Sequence, residues 1–381
     1  MTEDLLLTNA KVVTRDEVFL GTVEVSRGVI LSLDRGRTRL PCAADLDGDY
    51  LIPGLVELHT DNLEKNFAPR PGVKWPALSA VIAHDAQIIA AGITTVFDAL
   101  RAGDIMRSDH HDDTLRAMSE AIAEAQEHGL TRSEHVFHLR CEVSCPAVLE
   151  HLEPYQAHPL LRLISVMDHA PGQRQFADLN QYRAYFGRKY QLSNEELEST
   201  WRTQVENSRR YSDKHRRYIA SLCRERKLSL ASHDDATAEH IDEAVEDGVV
   251  IAEFPTTEEA AKAARRNGMN VLAGAPNIVR GGSHSGNIAA GTLAQQGLLN
   301  IISSDYVPSS MLDAAFKLSG EDGAIPLPQT VAMVTANPAH AAGLTDRGVI
   351  EPGRRADLVR VKRKADVTAV REVWRGSERM F

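Results

Sequence analysis

His59 and Asp61 stand two residues apart at the end of an apolar run, Leu51-Ile-Pro-Gly-Leu-Val-Glu-Leu-His-Thr-Asp61. In a strand, residues i and i+2 point to the same side, so the imidazole and the carboxylate can aim at one ion. The same kind of ending recurs downstream. Phe137-His-Leu-Arg-Cys-Glu-Val143 carries Glu142 near its end, and Ser165-Val-Met-Asp-His169 closes on His169. Leu230-Ala-Ser-His233, Ile251-Ala-Glu253 and Ile302-Ser-Ser-Asp305 close on His233, Glu253 and Asp305. One such histidine is more often a satisfied polar residue than a ligand, but the joint pattern points to a metal centre. Nitrogen and carboxylate donors without thiolates suit divalent zinc first, with manganese or iron also compatible. Glu142 and Asp305 could bridge two ions ~3.5–4 Å apart, which would make hydroxide from water at neutral pH. Asp305, on the last of these endings, can accept the proton and pass it on. Hydrolysis of an electrophilic carbon or phosphorus centre follows as the expected chemistry.

Two further segments bear on the substrate. Gly274-Ala-Pro-Asn-Ile-Val-Arg-Gly-Gly-Ser-His-Ser-Gly-Asn287 is glycine-rich, and such a loop lets backbone N–H groups approach an anion closely. Arg280, Ser283, His284, Ser285 and Asn287 would add donors. Lys65, Arg70 and Lys74, after the first ending, form a second candidate anion clamp. The plain alternatives are a loop without ligand and a solvated surface segment. His84, His110, His111 and His138 read as surface residues or as supports behind the ligands.

These residues need a frame that brings strand ends together. Ile52–Leu58, Thr94–Phe97, His135–Val143, Leu161–Met167, Leu228–Ser232, Val249–Glu253, Asn270–Ala273 and Asn300–Ser304 read as near-continuous apolar strands. Helical stretches such as Ala77–Ala91, Asp113–His128, Ala236–Glu246, Thr257–Asn267 and Ala289–Gln296 separate them. Strands and helices in this alternation imply a parallel sheet, and eight units imply a (β/α)8 barrel of the α/β class. In such a barrel the active site lies at the C-terminal strand ends, where the candidate ligands stand. The charged segment Gln173–Lys227 looks like inserted helices and a candidate lid. Before the barrel, Leu5–Val13, Val18–Val25 and Val29–Asp34 read as short strands. A similar texture from Gly348 through Val361 and Val367–Trp374 suggests that both ends build one small β domain. The expected division is 1–50 and 346–381 for that domain and 51–345 for the barrel.

Composition narrows the rest. The 381 residues are 43% hydrophobic and 25% charged, with a formal net charge of -10. That balance argues against general nucleic-acid binding. No apolar run reaches the ~18 residues of a membrane span, and Met1-Thr-Glu-Asp-Leu lacks the features of a signal peptide. Cys42, Cys141, Cys145 and Cys223 form no CxxC pair and read as reduced thiols. A cytoplasmic enzyme is expected, with a small-molecule partner and neither nucleic acid nor membrane; self-association into a homo-oligomer is compatible.

Thr8-Asn-Ala-Lys-Val-Val13, Pro53-Gly-Leu-Val-Glu-Leu-His59 and Thr335-Ala-Asn-Pro-Ala…Gly348-Val-Ile-Glu-Pro-Gly-Arg-Arg-Ala-Asp-Leu-Val359 together resemble the amidohydrolase superfamily over nearly the whole chain. The resemblance implies a metal-bearing barrel with a small β-sandwich built from both termini. His59–Glu64, Ser232–Thr237, Ala252–Thr257, Gly274–Asn287 and Ser303–Tyr306 resemble one branch of it, which serves the carbon–phosphorus lyase pathway. That branch implies water attack on the α-phosphorus of a ribose 5-triphosphate, giving pyrophosphate and a ribose 5-phosphate. The superfamily's usual His-X-His is here His59-Thr-Asp61, its strand-four lysine is missing with Glu142 as substitute, and its strand-six histidine is replaced by Glu253. A C–N hydrolase such as a cyclic amidase or deaminase is the alternative, and a metal-free scaffold a more remote one. The basic and glycine-rich segments favour phosphate, because a neutral amide needs no anion clamp.

Overall fold

The computed structural model describes residues 4–104, 111–174, 194–283, 287–320, 325–365 and 367–381. The chain begins with β1 (Leu5–Val13), β2 (Val18–Ser26), β3 (Val29–Arg35), the two-residue β4 (Ala44–Asp45) and β5 (Tyr50–Pro53). Eight strands follow, alternating with helices: β6 (Leu55–Thr60), β7 (Ile93–Ala102), β8 (Glu134–Glu142), β9 (Leu161–Met167), β10 (Ser229–His233), β11 (Ile251–Glu253), β12 (Asn270–Gly274) and β13 (Ile301–Ser303). Each is parallel to the next. The ring is drawn shut where Thr60 bridges Asp305, with the Asp305 N–H donating to the His59 carbonyl at 3.1 Å.

The barrel interior is layered. Val56, Leu58, Phe97, Val136, Leu163, Ala231, Ile251, Leu272 and Ile301 fill its lower part as one buried cluster. Two residues further along several strands the same inward face turns polar, as in Val136-x-His138-x-Arg140-x-Glu142, Ala231-x-His233 and Ile251-x-Glu253. The apolar floor supports a polar cup. Helices coat the outside, and their ends are set by local chemistry. The hydroxyls of Thr237 and Thr257 cap Ala238–Asp247 and Glu258–Arg266 by accepting from the N–H groups of His240 and Ala260. The first of these helices stops at Gly248, in the left-handed region at φ 81°.

The C-terminal strands β14 (Leu358–Lys364), β15 (Val367–Arg375) and β16 (Glu378–Arg379) join the N-terminal ones in a separate mixed sheet of order β16-β15-β14-β5-β1-β2-β3. Leu7, Val12, Val23, Ile30, Leu51, Leu358 and Trp374 belong to its own buried core. Two expectations need correction. The run Ile52–Leu58 is not one strand. It divides at Gly54, with β5 in the terminal sheet and β6 in the barrel, and the Gly54 N–H donates to the Asp357 carbonyl at 2.8 Å. The stretch from Gly348 to Asp357 forms no strand; the C-terminal strands begin at Leu358.

Within the expected insertion, Asn194–Arg226 is one long helix between β9 and β10; residues 175–193 lie outside the described ones. The hydroxyls of Ser208 and Ser212 each donate to Asp168 Oδ2 at 2.7 Å, and His215 Nδ1 meets the Val143 carbonyl at 3.0 Å. The helix is thus fastened over the ends of β8 and β9. All four cysteines are free, Cys42 exposed and the others buried. Among the described residues no helix is long and apolar enough to cross a membrane.

Candidate metal centre

The cup is organised around Glu253, fully buried at the end of β11. Its Oε1 lies 3.3 Å from His59 Nδ1 and its Oε2 3.2 Å from His233 Nδ1. His138 Nε2 lies 3.8 Å from Oε1. On the other flank, the Nε2 atoms of His233 and His169 lie 3.5 and 3.8 Å from Asp234 Oδ2. Glu142 Oε2 is 2.5 Å from His169 Nδ1, while its Oε1 accepts from the His169 N–H and the Ser144 hydroxyl. The donors therefore run in one chain, Glu142–His169–Asp234–His233–Glu253, which forks at Glu253 Oε1 to His59 and His138. Two sets, His59/His138/Glu253 and His169/His233/Asp234, each bring their donor atoms within 4.8 Å of one another.

Backbone geometry aims these groups. Asp234, Phe254 and Asp305, just beyond β10, β11 and β13, have φ of 57°, 53° and 56°. Three strand ends thus turn through the left-handed region, which is costly for non-glycine residues and concentrates at functional sites. At the first strand end, Asp61 opens the short helix Asn62–Phe67, and its Oδ1 accepts from Arg140 at 2.7 Å. Its N–H donates to the Asp305 carbonyl at 2.7 Å. A β-carbon on Gly274 would stand 3.4 Å from Asp305 Oδ2, so the glycine leaves the space beside that carboxyl open.

The electrostatics suit a cation. Burial, and then the Arg140 charge, pushes the His59 imidazole down to about 3. Burial pushes His138 down to about 4 and holds His233 well below its ordinary range. All three are neutral at pH 7, the form that ligates metal. Burial would raise Glu142, but the His169 charge and the hydrogen bonds from His169 and Ser144 together outweigh it and hold the carboxyl below its ordinary range. Burial, with Asp61 adding repulsion, pushes Asp305 up to about 7. Neutral imidazoles interleaved with carboxylates fit divalent ions that accept nitrogen and oxygen.

A third set, His84/Asp98/His135, is of a different kind. It is wholly buried between the helix Ala77–Ala90 and strands β7 and β8. His84 Nε2 and His135 Nδ1 meet the two Asp98 oxygens at 2.8 and 2.7 Å, ordinary hydrogen-bond lengths. Asn62 donates to His84 Nδ1 at 3.0 Å, so this cluster braces the helix that follows Asp61. Neither His84 nor His138 is at the surface. His110 and the side chain of His111 lie outside the described parts.

The other candidate substrate residues lie further out. Lys65 is exposed, donates to the Tyr306 carbonyl at 2.5 Å and sits 4.7 Å over the Tyr306 ring, next to Asp305 in sequence. Arg70 and Arg280 are exposed, the latter ending the helix Ala275–Arg280; Ser283 and Asn287 are half-buried. His284 and Ser285 lie outside the described residues. A cavity of about 1070 Å³ touches Gly281 and Gly282 but opens toward Lys11, Tyr50, Lys317 and Arg363. None of the cup donors lines it, so its size says nothing about the reaction. Reading strand ends alone left His138 as a surface or supporting residue and overlooked Arg140 and Asp234. Counting back from Glu142 in steps of two reaches Arg140 and His138, and Asp234 directly follows His233.

Residues 68–376 match the model of the amidohydrolase family. Over 378 residues the chain is 50% identical to the alpha-D-ribose 1-methylphosphonate 5-triphosphate diphosphatase of Escherichia coli (strain K12), covering 99% of this chain and 100% of that one. Among solved structures, a 5-methylcytosine deaminase from Klebsiella pneumoniae shares the fold with a TM-score of 0.66 at 15% identity, over 99% of this chain and 98% of that chain. An N-acetylglucosamine-6-phosphate deacetylase from Pasteurella multocida does so at 0.64 and 13%, over 98% of each chain. The barrel with its terminal sheet, the cup of nitrogen and carboxylate donors and these likenesses agree: the chain belongs to the amidohydrolase family.

Proposed function

We propose that this chain hydrolyses α-D-ribose 1-methylphosphonate 5-triphosphate to ribose 1-methylphosphonate 5-phosphate and pyrophosphate. The observation that carries the reading is the 50% identity, end to end, with the E. coli enzyme named for that reaction. A hydrolytic donor cup in the expected face of the barrel supports it. His59, Asp61, Glu142, His169, His233, Glu253 and Asp305 are the proposed metal-holding set, with His138 and Asp234 beside them. Two divalent ions are proposed, zinc first, in a cytoplasmic protein. Of the expected division at 1–50, 51–345 and 346–381 we move the first boundary to Gly54, because β5 belongs to the terminal sheet; the barrel carries the chemistry.

When bound, the metal supplies a Lewis acid and brings water within reach of deprotonation near neutral pH. Asp305 is the base. Its buried carboxyl, beside Asp61 at the end of the last barrel strand, is placed to take a proton from the attacking water and release it again. The water oxygen forms a bond to the α-phosphorus, the α–β anhydride bond breaks, and pyrophosphate leaves with the electron pair. Arg280, Ser283, His284, Ser285 and Asn287, with Lys65 and Arg70, are the proposed donors to the distal phosphates.

Phosphorus NMR of products formed in ¹⁸O-labelled water tests the reaction. The expected label is on the ribose 5-phosphate and absent from pyrophosphate. Release of inorganic phosphate carrying the label would place attack on the terminal phosphorus and sink the reading.

A further inference from the structure

Arg140 and Arg101 occupy paired positions on the neighbouring strands β8 and β7. Residues paired in a parallel sheet project side by side from one face. Arg140 is buried and two positions before Glu142, so it stands in the wall of the cup; Arg101 is half-buried beside it. Each has an Nε buried with no hydrogen-bond partner. Arg140 is anchored through its terminal nitrogen, 2.7 Å from Asp61 Oδ1. Asp61 feels the positive charge of both arginines.

Asp61, Glu64 and Glu253 offset the charge of Arg140, but two adjacent guanidinium groups still present Nε–H donors that these acids do not take up. A buried, unsatisfied N–H is itself costly and marks a missing acceptor. Guanidinium forks match the oxygens of a phosphoryl group, and the charge on those oxygens is shared most widely in the transition state. A neutral amide substrate would leave both Nε–H groups without a charged acceptor.

We propose that Arg140 and Arg101 form a clamp on the non-bridging oxygens of the phosphoryl group under attack, with Asp61 holding the Arg140 fork in place. This rests on the phosphoanhydride reading above and names the residues that recognise the reacting phosphorus. Arg140 is a catalytic residue on this account, and Asp61 positions it in addition to any role toward metal.

The test combines turnover with binding of inorganic phosphate to the metal-loaded protein, measured by calorimetry. Arg140→Gln should lower kcat by on the order of 10²–10³, as when one donor to a transition-state oxyanion is removed. Arg101→Gln should lower it by roughly tenfold or more, and both variants should bind phosphate at least tenfold more weakly. Arg140→Lys keeps the charge without the fork and should recover only part of kcat. If Arg140 merely neutralises Asp61, then Arg140→Gln combined with Asp61→Asn will bind phosphate like the wild type, which overturns the clamp. Unimpaired phosphate binding and turnover in Arg101→Gln also overturns it, and this variant leaves the Asp61 contact intact should Arg140→Gln fail to fold. The two readings fail separately. If the wild-type protein yields no pyrophosphate while Arg140→Gln and Arg101→Gln each weaken its phosphate binding, the reaction falls and the clamp stands.

Discussion

The N–H of Asp61 donates to the carbonyl of Asp305 at 2.7 Å, so the first and last barrel strands meet at the two acids that carry most of the expected chemistry. One backbone bond sets their spacing, and the repulsion between their carboxyls helps to raise the affinity of Asp305 for a proton.

Asp305→Asn removes the proton acceptor and keeps the shape. Turnover should fall by on the order of 10²–10⁴, with the thermal midpoint little changed. Near-normal turnover would move the base elsewhere, with Glu253 or His169 next in line.

Protein purified without chelators should carry about two divalent ions per chain. Glu253→Gln should lower this sharply, because its carboxylate faces both His59 and His233. Elemental analysis decides the matter, and active protein without bound metal would end the mechanism.

The expected roles of the outer loop are tested by Arg280→Ala. Its loss should weaken a 5′-triphosphate substrate by about 1.5–3 kcal/mol and a 5′-diphosphate analogue much less. Equal losses would place Arg280 at the α-phosphate or ribose.

The buried set behind the cup makes a prediction about pH. Burial opposes a charge on His135, but Asp98 and Asp85 overcome it and push the imidazole up to about 9. Its folded pKa therefore exceeds the ordinary 6.5 or so. The stability it contributes is fully present below pH ~6.5 and is lost as pH rises through about 9. Thermal midpoints at pH 6 and 9.5 should show this loss. Asp98→Asn should cost about 3–5 kcal/mol at pH 6 and flatten the decline. An unchanged decline in the variant would assign it to other groups.

Much of the frame was legible because barrel strands are buried on both faces and read as apolar runs, while their ends cannot hide a histidine or an acid. Glu253 and His233 were visible for that reason. The split at Gly54 was not, since Tyr50–Pro53 and Leu55–Thr60 are equally apolar and only the partner strand differs. Arg140 was passed over because it lies inside a strand, and Arg101 because the strand expected to stop at Phe97 runs on to Ala102. What distinguishes them is the level in the barrel at which they face inward, which depends on register between strands.

Gly54 also sets a stability test. A β-carbon there would come within 2.9 Å of Asp357 Cβ and closer still to the Thr94 side chain. Gly54→Ala should destabilise the fold by about 1–3 kcal/mol. A shift in denaturant midpoint checks it.

The order of the terminal sheet bears on biosynthesis. β5 pairs with β1 on one side and with β14 on the other. The first partner leaves the ribosome before β5 and the second only after the entire barrel. At usual elongation rates that interval is roughly 15–60 s, during which one edge of β5 lacks its native neighbour. The nascent polypeptide must guard that edge against other chains, and a message truncated before Leu358 would produce a barrel whose entry strand stays open to aggregation.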